Sequence, residues 1–238
     1  MRRRGFTAVS IRNFCENAGV SRSESTVDLS MLEHAVREDL DQESFRVMCV
    51  LNPLKVTISN KEESEVENLS VRNHPKKESM GTREVPFTRE IYIDRSDFEE
   101  IPSPGFKRLT LGGEVRLRGC YIIKCDKVLK NSDGEITELI CTADKETLGR
   151  RPAGRKVKGV IHWVSAVHGQ KATLRLYDRL FIVENPEAKE VKDYREFLNP
   201  DSLSVIKNCV IEPSIADQMR IKHFQFEREG YFILDEKL

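Results

Sequence analysis

The sequence lacks the features of several large classes of protein. Its 238 residues contain 39 basic and 39 acidic side chains, so no net charge attracts polyanions over the whole surface. No segment approaches the roughly 20 consecutive apolar residues that cross a bilayer, and residues 1–5 lack the apolar run of a signal peptide. We therefore expect a cytoplasmic chain with no membrane partner.

The cysteines lack the paired spacing of metal sites and disulfide scaffolds. The six of them stand at positions 15, 49, 120, 125, 141 and 209, and none belongs to a Cys-x-x-Cys motif. We interpret all six as small buried hydrophobic residues in a reducing compartment, and we expect no metal site.

Motifs of enzyme chemistry are absent as well. There is no Gly-x-x-x-x-Gly-Lys-Ser/Thr loop, no Gly-x-Gly-x-x-Gly before a helix and no Gly-x-Ser-x-Gly elbow. We interpret the five histidines as structural, and the acids at 94, 97, 99 and 100 as a solvated loop. We expect no catalytic residue in this chain. The alternative, a hydrolase that uses His162 or Cys120, would require a measurable turnover that is lost when either residue is replaced.

Basic residues are concentrated in two segments. Side chains alternate across a strand, so Val115 and Leu117 would face a core while the arginines between and after them project from the other face. Guanidinium groups there would suit phosphates and base edges, although the solvated outer face of a half-buried strand is the alternative. Segment 105–118 sets Lys107, Arg108, Arg116 and Arg118 against one acid, Glu114, and segment 147–158 has no acid but contains Arg150, Arg151, Arg155, Lys156 and Lys158.

Helical periodicity is confined to the beginning of the chain. Thr7 can cap a first helix that ends near Gly19, and Ser25 or Thr26 can cap a second. The core side of the second helix follows three- and four-residue spacing: Leu32, Ala35, Val36 and Leu40.

From about residue 46 the periodicity changes to two, which predicts a mainly β fold. Strands are expected at 54–58, 91–93, 120–129, 136–142, 157–164, 174–183 and 203–211, with a helical turn at 213–219. The Asp-Gly of residues 133–134 predicts a tight primed turn. A last hairpin over 224–234 would have its tip at 227–230, with Gln225 and Arg228 at that tip. Many short strands favour small antiparallel barrels, and two fit the length.

These features match the chemistry of single-stranded RNA recognition. Unpaired bases stack on aromatic rings, and their edges are read by arginine, lysine and glutamine. A basic β-surface, an exposed Phe106 and the hairpin with Gln225 and Arg228 supply these groups.

Several segments, in order, resemble the C-terminal half of glutaminyl-tRNA synthetases, which are class I aminoacyl-tRNA synthetases. The resemblance covers essentially the whole chain. Among the matching segments are Met1-Arg-Arg-Arg-Gly-Phe-Thr7, Asn73-His-Pro75, Ile91-Tyr-Ile-Asp-Arg95, Glu114-Val-Arg-Leu-Arg118, Val157-Lys-Gly-Val-Ile-His-Trp-Val-Ser165 and Phe224-Gln-Phe-Glu-Arg-Glu-Gly-Tyr-Phe232.

The resemblance implies a short α-helical segment followed by two ribosomal L25-like antiparallel β-barrels that bind the anticodon loop. Residues 1–43 would be the helical segment that connects to the catalytic domain. Residues 44–86 plus 179–238 would form the near barrel, and residues 87–178 the far barrel.

The same resemblance assigns functional residues and partners. The partners would be tRNA(Gln) and the catalytic domain of the same enzyme, in a monomer. That domain would bind ATP and Mg²⁺, whereas this chain has neither the HIGH nor the KMSKS signature and would bind no cofactor and be inactive alone. The alternatives are a free-standing L25-like RNA-binding module and the equivalent region of a eukaryotic-type glutamyl-tRNA synthetase. Anticodon readers would be Arg46, Lys107, Arg108, Arg116, Arg118, Gln225 and Arg228, with tRNA backbone contacts from Arg22, Lys76, Arg155 and Lys156.

Overall fold

The computed structural model describes residues 1–19, 27–186, 193–217 and 222–235. Its helices are α1 (Ala8–Ala18), α2 (Leu29–Glu43) and the single turn α3 (Ser214–Asp217). Short 3-10 turns lie at Arg2–Arg4, Glu78–Met80, Arg95–Asp97, Lys145–Thr147 and Tyr194–Phe197. Within these ranges, no helix combines the length and the apolar character needed to span a membrane.

Side-chain caps fix where the two long helices begin. The Thr7 hydroxyl accepts a hydrogen bond from the Ser10 amide at 3.0 Å, and Gly19, with φ 72°, ends α1 as predicted. Helix α2 is capped by Asp28, which accepts from the Ser30 amide at 2.8 Å. The predicted caps at positions 25 and 26 lie outside the described residues. On the core side of α2, Leu32, Ala35 and Leu40 are buried as expected. Val36 is only half-buried.

Most of the chain forms short strands. In order they are β1 (Phe45–Val47), β2 (Cys49–Val50), β3 (Pro53–Ile58), β4 (Glu67–Arg72), β5 (Thr82–Phe87), β6 (Glu90–Asp94), β7 (Phe98–Glu99), β8 (Leu109–Thr110), β9 (Glu114–Leu117), β10 (Ile122–Lys130), β11 (Ile136–Asp144), β12 (Val160–Ile161), β13 (Trp163–Ser165), β14 (Gln170–Tyr177), β15 (Leu203–Ile211), β16 (His223–Phe226) and β17 (Gly230–Ile233).

The largest sheet has seven strands in the order β12-β9-β10-β11-β3-β6-β13. Its two edge strands, β12 and β13, are separated in the chain by His162 alone. Because one residue spans only about 3.5 Å, the two edges must lie close together, and the sheet curls into a nearly closed barrel. Trp163 is fully buried in it, packs edge-on against Phe87 at 5.3 Å, and donates its indole N–H to the Arg118 carbonyl.

Two three-stranded sheets, β14-β15-β2 and β1-β16-β17, surround a second core. Phe226 and Phe232 stack there with ring centroids 4.4 Å apart. Two two-stranded sheets, β4-β5 and β7-β8, complete the described pairings. The buried members of the second core are Val47, Cys49, Leu174, Cys209, Phe224 and Phe226.

The mainly β class is confirmed, with 40% strand and 21% helix. The division into two L25-like barrels with the boundaries given above stays a prediction. Strand pairing crosses those boundaries at two places: β3, from the 44–86 range, lies in the seven-stranded sheet, and β14, from the 87–178 range, pairs with β15.

Several sequence-based details need correction. The strand expected over 157–164 is interrupted at His162, because the barrel closes there, and the strand expected over 174–183 begins at Gln170 and ends at Tyr177. The hairpin between β10 and β11 exists, but residues 131–135 separate its strands and of the Asp-Gly pair only Gly134 has a positive φ, so its turn is not a two-residue primed turn. Cys15 is exposed, whereas the other five cysteines are buried as predicted.

A buried ion pair joins β5 to the segment that follows β15. The Arg83 guanidinium binds both carboxylate oxygens of Glu212, and both side chains are almost completely buried. Glu212 also accepts from the Met48 amide at 2.9 Å, and Arg83 donates to the Arg72 carbonyl at 2.9 Å. The pair therefore satisfies one backbone group in each of two other segments, the Met48 amide and the Arg72 carbonyl.

Replacing Arg83 with methionine should strongly destabilise the protein, because Glu212 would stay buried without its counter-charge. We expect the Arg83→Met variant to lose about 3–5 kcal/mol of unfolding free energy in urea titrations. Arg72→Met is the matched control: its exposed pair with Glu78 lies in the same hairpin, and its loss should stay below about 1 kcal/mol. Equal losses in the two variants would contradict this role for the buried pair.

Candidate nucleic-acid interface

A buried carboxylate lies at the centre of the basic surface. Asp97 ends the 3-10 turn that follows β6, and it is 0% exposed. Its two oxygens each accept a 2.7 Å hydrogen bond from the Arg228 guanidinium, and one of them also lies 3.1 Å from Arg108. Asp97 thus brings together two arginines that are 120 positions apart in the chain.

Arg228 occupies the tip of the β16-β17 hairpin in an unusual backbone conformation. Its φ is 73°, which costs a residue other than glycine about 1–2 kcal/mol. The hydrogen-bonded Asp97 raises the pKa of Arg228 and holds its guanidinium in place. One guanidinium nitrogen also lies 3.4 Å from Nδ1 of His162, whose pKa is lowered by burial and then by the charge of Arg228. His162 is therefore a neutral neighbour at pH 7.

A second ion pair fixes the hairpin tip against the barrel. Arg118, directly after β9, binds Glu227 at 2.7 Å and keeps 47% of its side chain exposed. Lys107 is exposed and adjoins Arg108 in the chain. The tip region therefore gathers the charges of Arg108, Arg118 and Arg228.

Arg46 and Gln225 are neighbours on the paired strands β1 and β16. Arg46 is buried and donates to the Asp41 carboxylate and, at 3.3 Å, to the Ser44 carbonyl. Burial acts to raise the pKa of Asp41, but hydrogen bonds and charge from Tyr231 and Arg46 outweigh it, so the pKa is lowered. The side-chain oxygen of Gln225 is buried and has no hydrogen-bond partner among the described residues. The fold therefore leaves one hydrogen-bond acceptor of Gln225 unused.

An open groove of about 610 Å³, called here the basic groove, runs beside β9. Phe106 lines it and is half-buried rather than exposed as predicted. Among its described lining residues Glu114 is the one acid, and Arg155 neutralises it across a 2.9 Å ion pair. The basic residues of the groove are Lys107, Arg108, Lys124, Lys156 and Lys158.

Arg116 borders a different groove, of about 550 Å³, together with Arg150 and Arg151. Its side chain leaves the same face of β9 as Arg118, as predicted from strand alternation. The two guanidinium groups nevertheless diverge, because that of Arg116 donates to the carbonyls of Cys120, Thr147 and Arg150. Arg116 therefore supports the 145–150 segment as well as facing the groove.

Comparison with known proteins shows the family of the chain. Two family models match, and both are described as the anticodon-binding domain of class I (E and Q) tRNA synthetases, over residues 44–144 and 160–235. The chain belongs to this anticodon-binding family.

The chain is also similar to curated glutamine–tRNA ligases. It is 55% identical over 237 residues to that of Stutzerimonas stutzeri and 56% identical over 237 residues to that of Ectopseudomonas mendocina. With the enzyme of Psychromonas ingrahamii the identity is 56% over 238 residues. These alignments cover 99–100% of this chain but 42% of each relative, so the chain spans less than half the length of the proteins it matches.

Within this anticodon-binding domain, the predicted readers lie in connected clusters. Arg108, Arg118 and Arg228 meet at the hairpin tip, with Gln225 and Arg46 on the strands that lead to it. Of the predicted backbone contacts, Lys156 lies in the basic groove, Arg155 is paired with Glu114 and Asp144, and Lys76 is exposed near Asp41. Arg22 lies outside the described residues. The functional roles of all these residues stay predictions.

Sequence reasoning missed the acids that organise the candidate interface. Asp97, assigned to a solvated loop, is buried, because Arg108, 11 positions away, and Arg228, 131 positions away, supply its counter-charge. Two further residues of the candidate interface were also missed: Glu227, which pairs with Arg118, and Lys124, which lines the basic groove. The sequence held one local signal of the turn that carries Asp97, an aspartate two residues before a serine. In the structure the Asp94 carboxylate accepts a hydrogen bond from the Ser96 amide at 3.0 Å and caps this turn.

Asp94 should make this turn sensitive to acid. Burial acts to raise its pKa, but hydrogen bonds from the Asn52 and Ser96 amides outweigh it, so the pKa lies below the ordinary value of 3.8. Its stabilisation is complete above that value and is lost as the pH falls through the lower folded-state pKa. In urea titrations between about pH 7 and pH 3, Asp94→Asn should be less stable than the parent at neutral pH, and the difference should shrink below about pH 4.

The exposed Asp133→Asn is the matched control, with an expected change below about 0.5 kcal/mol at pH 7. An Asp94→Asn difference that persists unchanged to the acid end of the range would overturn the assignment.

Proposed function

We propose that this chain recognises the anticodon of tRNA(Gln) as part of a longer glutamine–tRNA ligase. Two observations support this. Both matching family models describe anticodon binding, and the curated relatives, named glutamine–tRNA ligases, align with the whole of this chain. The observation that carries the proposal is the convergence of Arg108 and Arg228 on the buried Asp97.

The pairing with Asp97 leaves Arg228 able to bind a base. A guanidinium has five N–H donors, and the carboxylate takes two of them. The remaining donors are held in a fixed direction, so ordering the side chain costs little when the nucleotide arrives. A splayed-out base presents acceptors on its edge to such a group.

Gln225 and the basic groove would divide the rest of the contacts. The unpartnered oxygen of Gln225 is an acceptor suited to a base amino or imino group. The lysines of the basic groove are exposed and would hold phosphates without reading sequence. Specificity would thus come from the hairpin, and a large share of the affinity from the groove.

The chemistry of aminoacylation would belong to the catalytic domain of the longer enzyme. ATP and Mg²⁺ would bind there, and this chain alone would bind tRNA without charging it. We further propose that the protein acts as a monomer in the cytoplasm.

Arg228→Ala should weaken binding of tRNA(Gln) by about 1–3 kcal/mol and reduce discrimination against a changed anticodon. The reason is the loss of fixed donors at the hairpin tip. Fluorescence titration of the chain with tRNA(Gln), an anticodon-swapped tRNA(Gln) and a tRNA carrying the glutamate anticodon, all at one salt concentration, measures both effects.

Arg195→Ala is the matched control, because Arg195 is exposed and paired with the nearby Asp193 outside the grooves and the hairpin. It should change neither affinity nor discrimination. If Arg228→Ala weakened cognate and swapped tRNA equally, the base-reading role would be wrong. Tighter binding to the glutamate anticodon would move the chain to the glutamyl branch of the family.

Lys156→Ala should lower the salt dependence of tRNA binding without changing anticodon preference. One fewer phosphate contact reduces the slope of log K against log salt by roughly one unit. Lys130→Ala, which removes a lysine paired with Glu100 outside the groove, should leave the slope unchanged. A change in preference among anticodons would show that Lys156 touches a base.

A further inference from the structure

Two cysteines face each other across the longest hairpin of the barrel. Cys125 in β10 and Cys141 in β11 are direct Cα partners in the antiparallel register. Both are fully buried in the core of the seven-stranded sheet and are free thiols. Neither takes part in the anticodon-binding surface described above.

Backbone hydrogen bonds show which kind of antiparallel pair they form. The Cys125 amide donates to the Gly113 carbonyl at 3.1 Å, and its carbonyl accepts from the Gly112 amide at 2.7 Å. On the other strand, the Cys141 carbonyl accepts from the Ser59 amide at 2.8 Å. In a strand the N–H and C=O of one residue point to the same side, so both backbones face away from each other.

This makes the two cysteines a non-hydrogen-bonded pair, in which the side chains approach most closely. Such pairs have Cα atoms about 4.5 Å apart, within the roughly 4.4–6.8 Å range found in disulfides. A bond between them would therefore need little movement of the backbone.

The two thiols also interact directly. The Cys141 thiol hydrogen-bonds to Cys125 and lowers the pKa of Cys125, while the same contact and burial raise the pKa of Cys141. Cys125 is thus the more readily ionised thiol of the pair, and the thiolate is the attacking species in disulfide exchange. Because both thiols are fully buried, an oxidant reaches them only when the hairpin opens locally.

We propose that Cys125 and Cys141 are a reversible oxidation site, closing to a cross-strand disulfide in the presence of a small-molecule disulfide such as oxidised glutathione. The Cys125 thiolate attacks one sulfur of the oxidant, whose S–S bond breaks and releases one thiol. Cys141 loses its proton, attacks the mixed disulfide and releases the second thiol. The protein gains one S–S bond and loses two hydrogens, and the oxidant is reduced to two thiols.

The test is oxidation of the folded chain with oxidised glutathione in a Cys15→Ser background, which removes the exposed thiol. Remaining thiols are then alkylated, and the chain is digested with trypsin. Cleavage at Lys124, Lys127, Lys130 and Lys145 puts the two cysteines on separate peptides, so a bond between them appears as one linked peptide that a reductant separates.

Cys49 and Cys209 supply a matched control within the same chain. Both are fully buried, but Cys49 is the Cα partner of Ile211, so Cys209 is diagonal to it. Diagonal neighbours are about 7–8 Å apart, beyond the reach of a disulfide. The linked peptide should therefore join Cys125 to Cys141 and not Cys49 to Cys209.

Stability provides a second readout. The oxidised chain should unfold at a higher urea concentration than the reduced chain, because the bond restricts the unfolded ensemble. A Cys125→Ala/Cys141→Ala double variant should abolish this shift, and Cys49→Ala/Cys209→Ala should retain it. The proposal is overturned if the linked peptide forms only in urea-unfolded protein, if both pairs link equally, or if oxidation lowers the unfolding midpoint.

Discussion

The arrangement of the candidate anticodon-binding surface depends on one buried carboxylate. Asp97 is out of contact with solvent, and a lone charge in that position would be strongly destabilising. Arg228 and Arg108 compensate it, and in return they are held in one place and one orientation. The same interaction stabilises a hairpin tip whose arginine has an unfavourable positive φ. The fold thereby holds the guanidinium N–H donors in position before a nucleotide binds.

The nearly closed barrel gives this carboxylate its surroundings. Because β12 and β13 are joined by one residue, the curled sheet brings His162 next to Arg228. The tryptophan that follows His162 donates to the Arg118 carbonyl, which anchors the end of β9 beside the hairpin tip. The hairpin itself belongs to a different sheet. The surface therefore forms where two sheets meet, and neither supplies all its charges.

The buried polar groups of the described residues divide into two kinds. Arg83 and Glu212 satisfy each other and several backbone groups, so they are explained by the fold. Four buried side-chain atoms have no such partner, and the last two lie in or beside the hairpin: Ser44 Oγ, Asn73 Oδ1, His162 Nε2 and Gln225 Oε1. Unsatisfied buried polar atoms are costly and uncommon. The thiols of Cys125 and Cys141 belong to neither kind, because the two buried side chains interact with each other.

The sequence by itself determined the mainly β class, the caps at Thr7 and Gly19, the alternation along β9 and the position of the last hairpin. Each depends on residues close together in the chain. Only the tertiary structure decided that Asp97 is buried, that Arg116 and Arg118 diverge, and that the strand through His162 is interrupted. Whether a charge is solvated or paired depends on partners that only the fold brings close, such as Arg228 for Asp97, 131 positions away, and local patterns carry no information about them. The resemblance to a family pointed to arginines that the fold gathers near one hairpin tip, and their roles stay predictions; the acids that position them became visible only when the sheets were folded against each other.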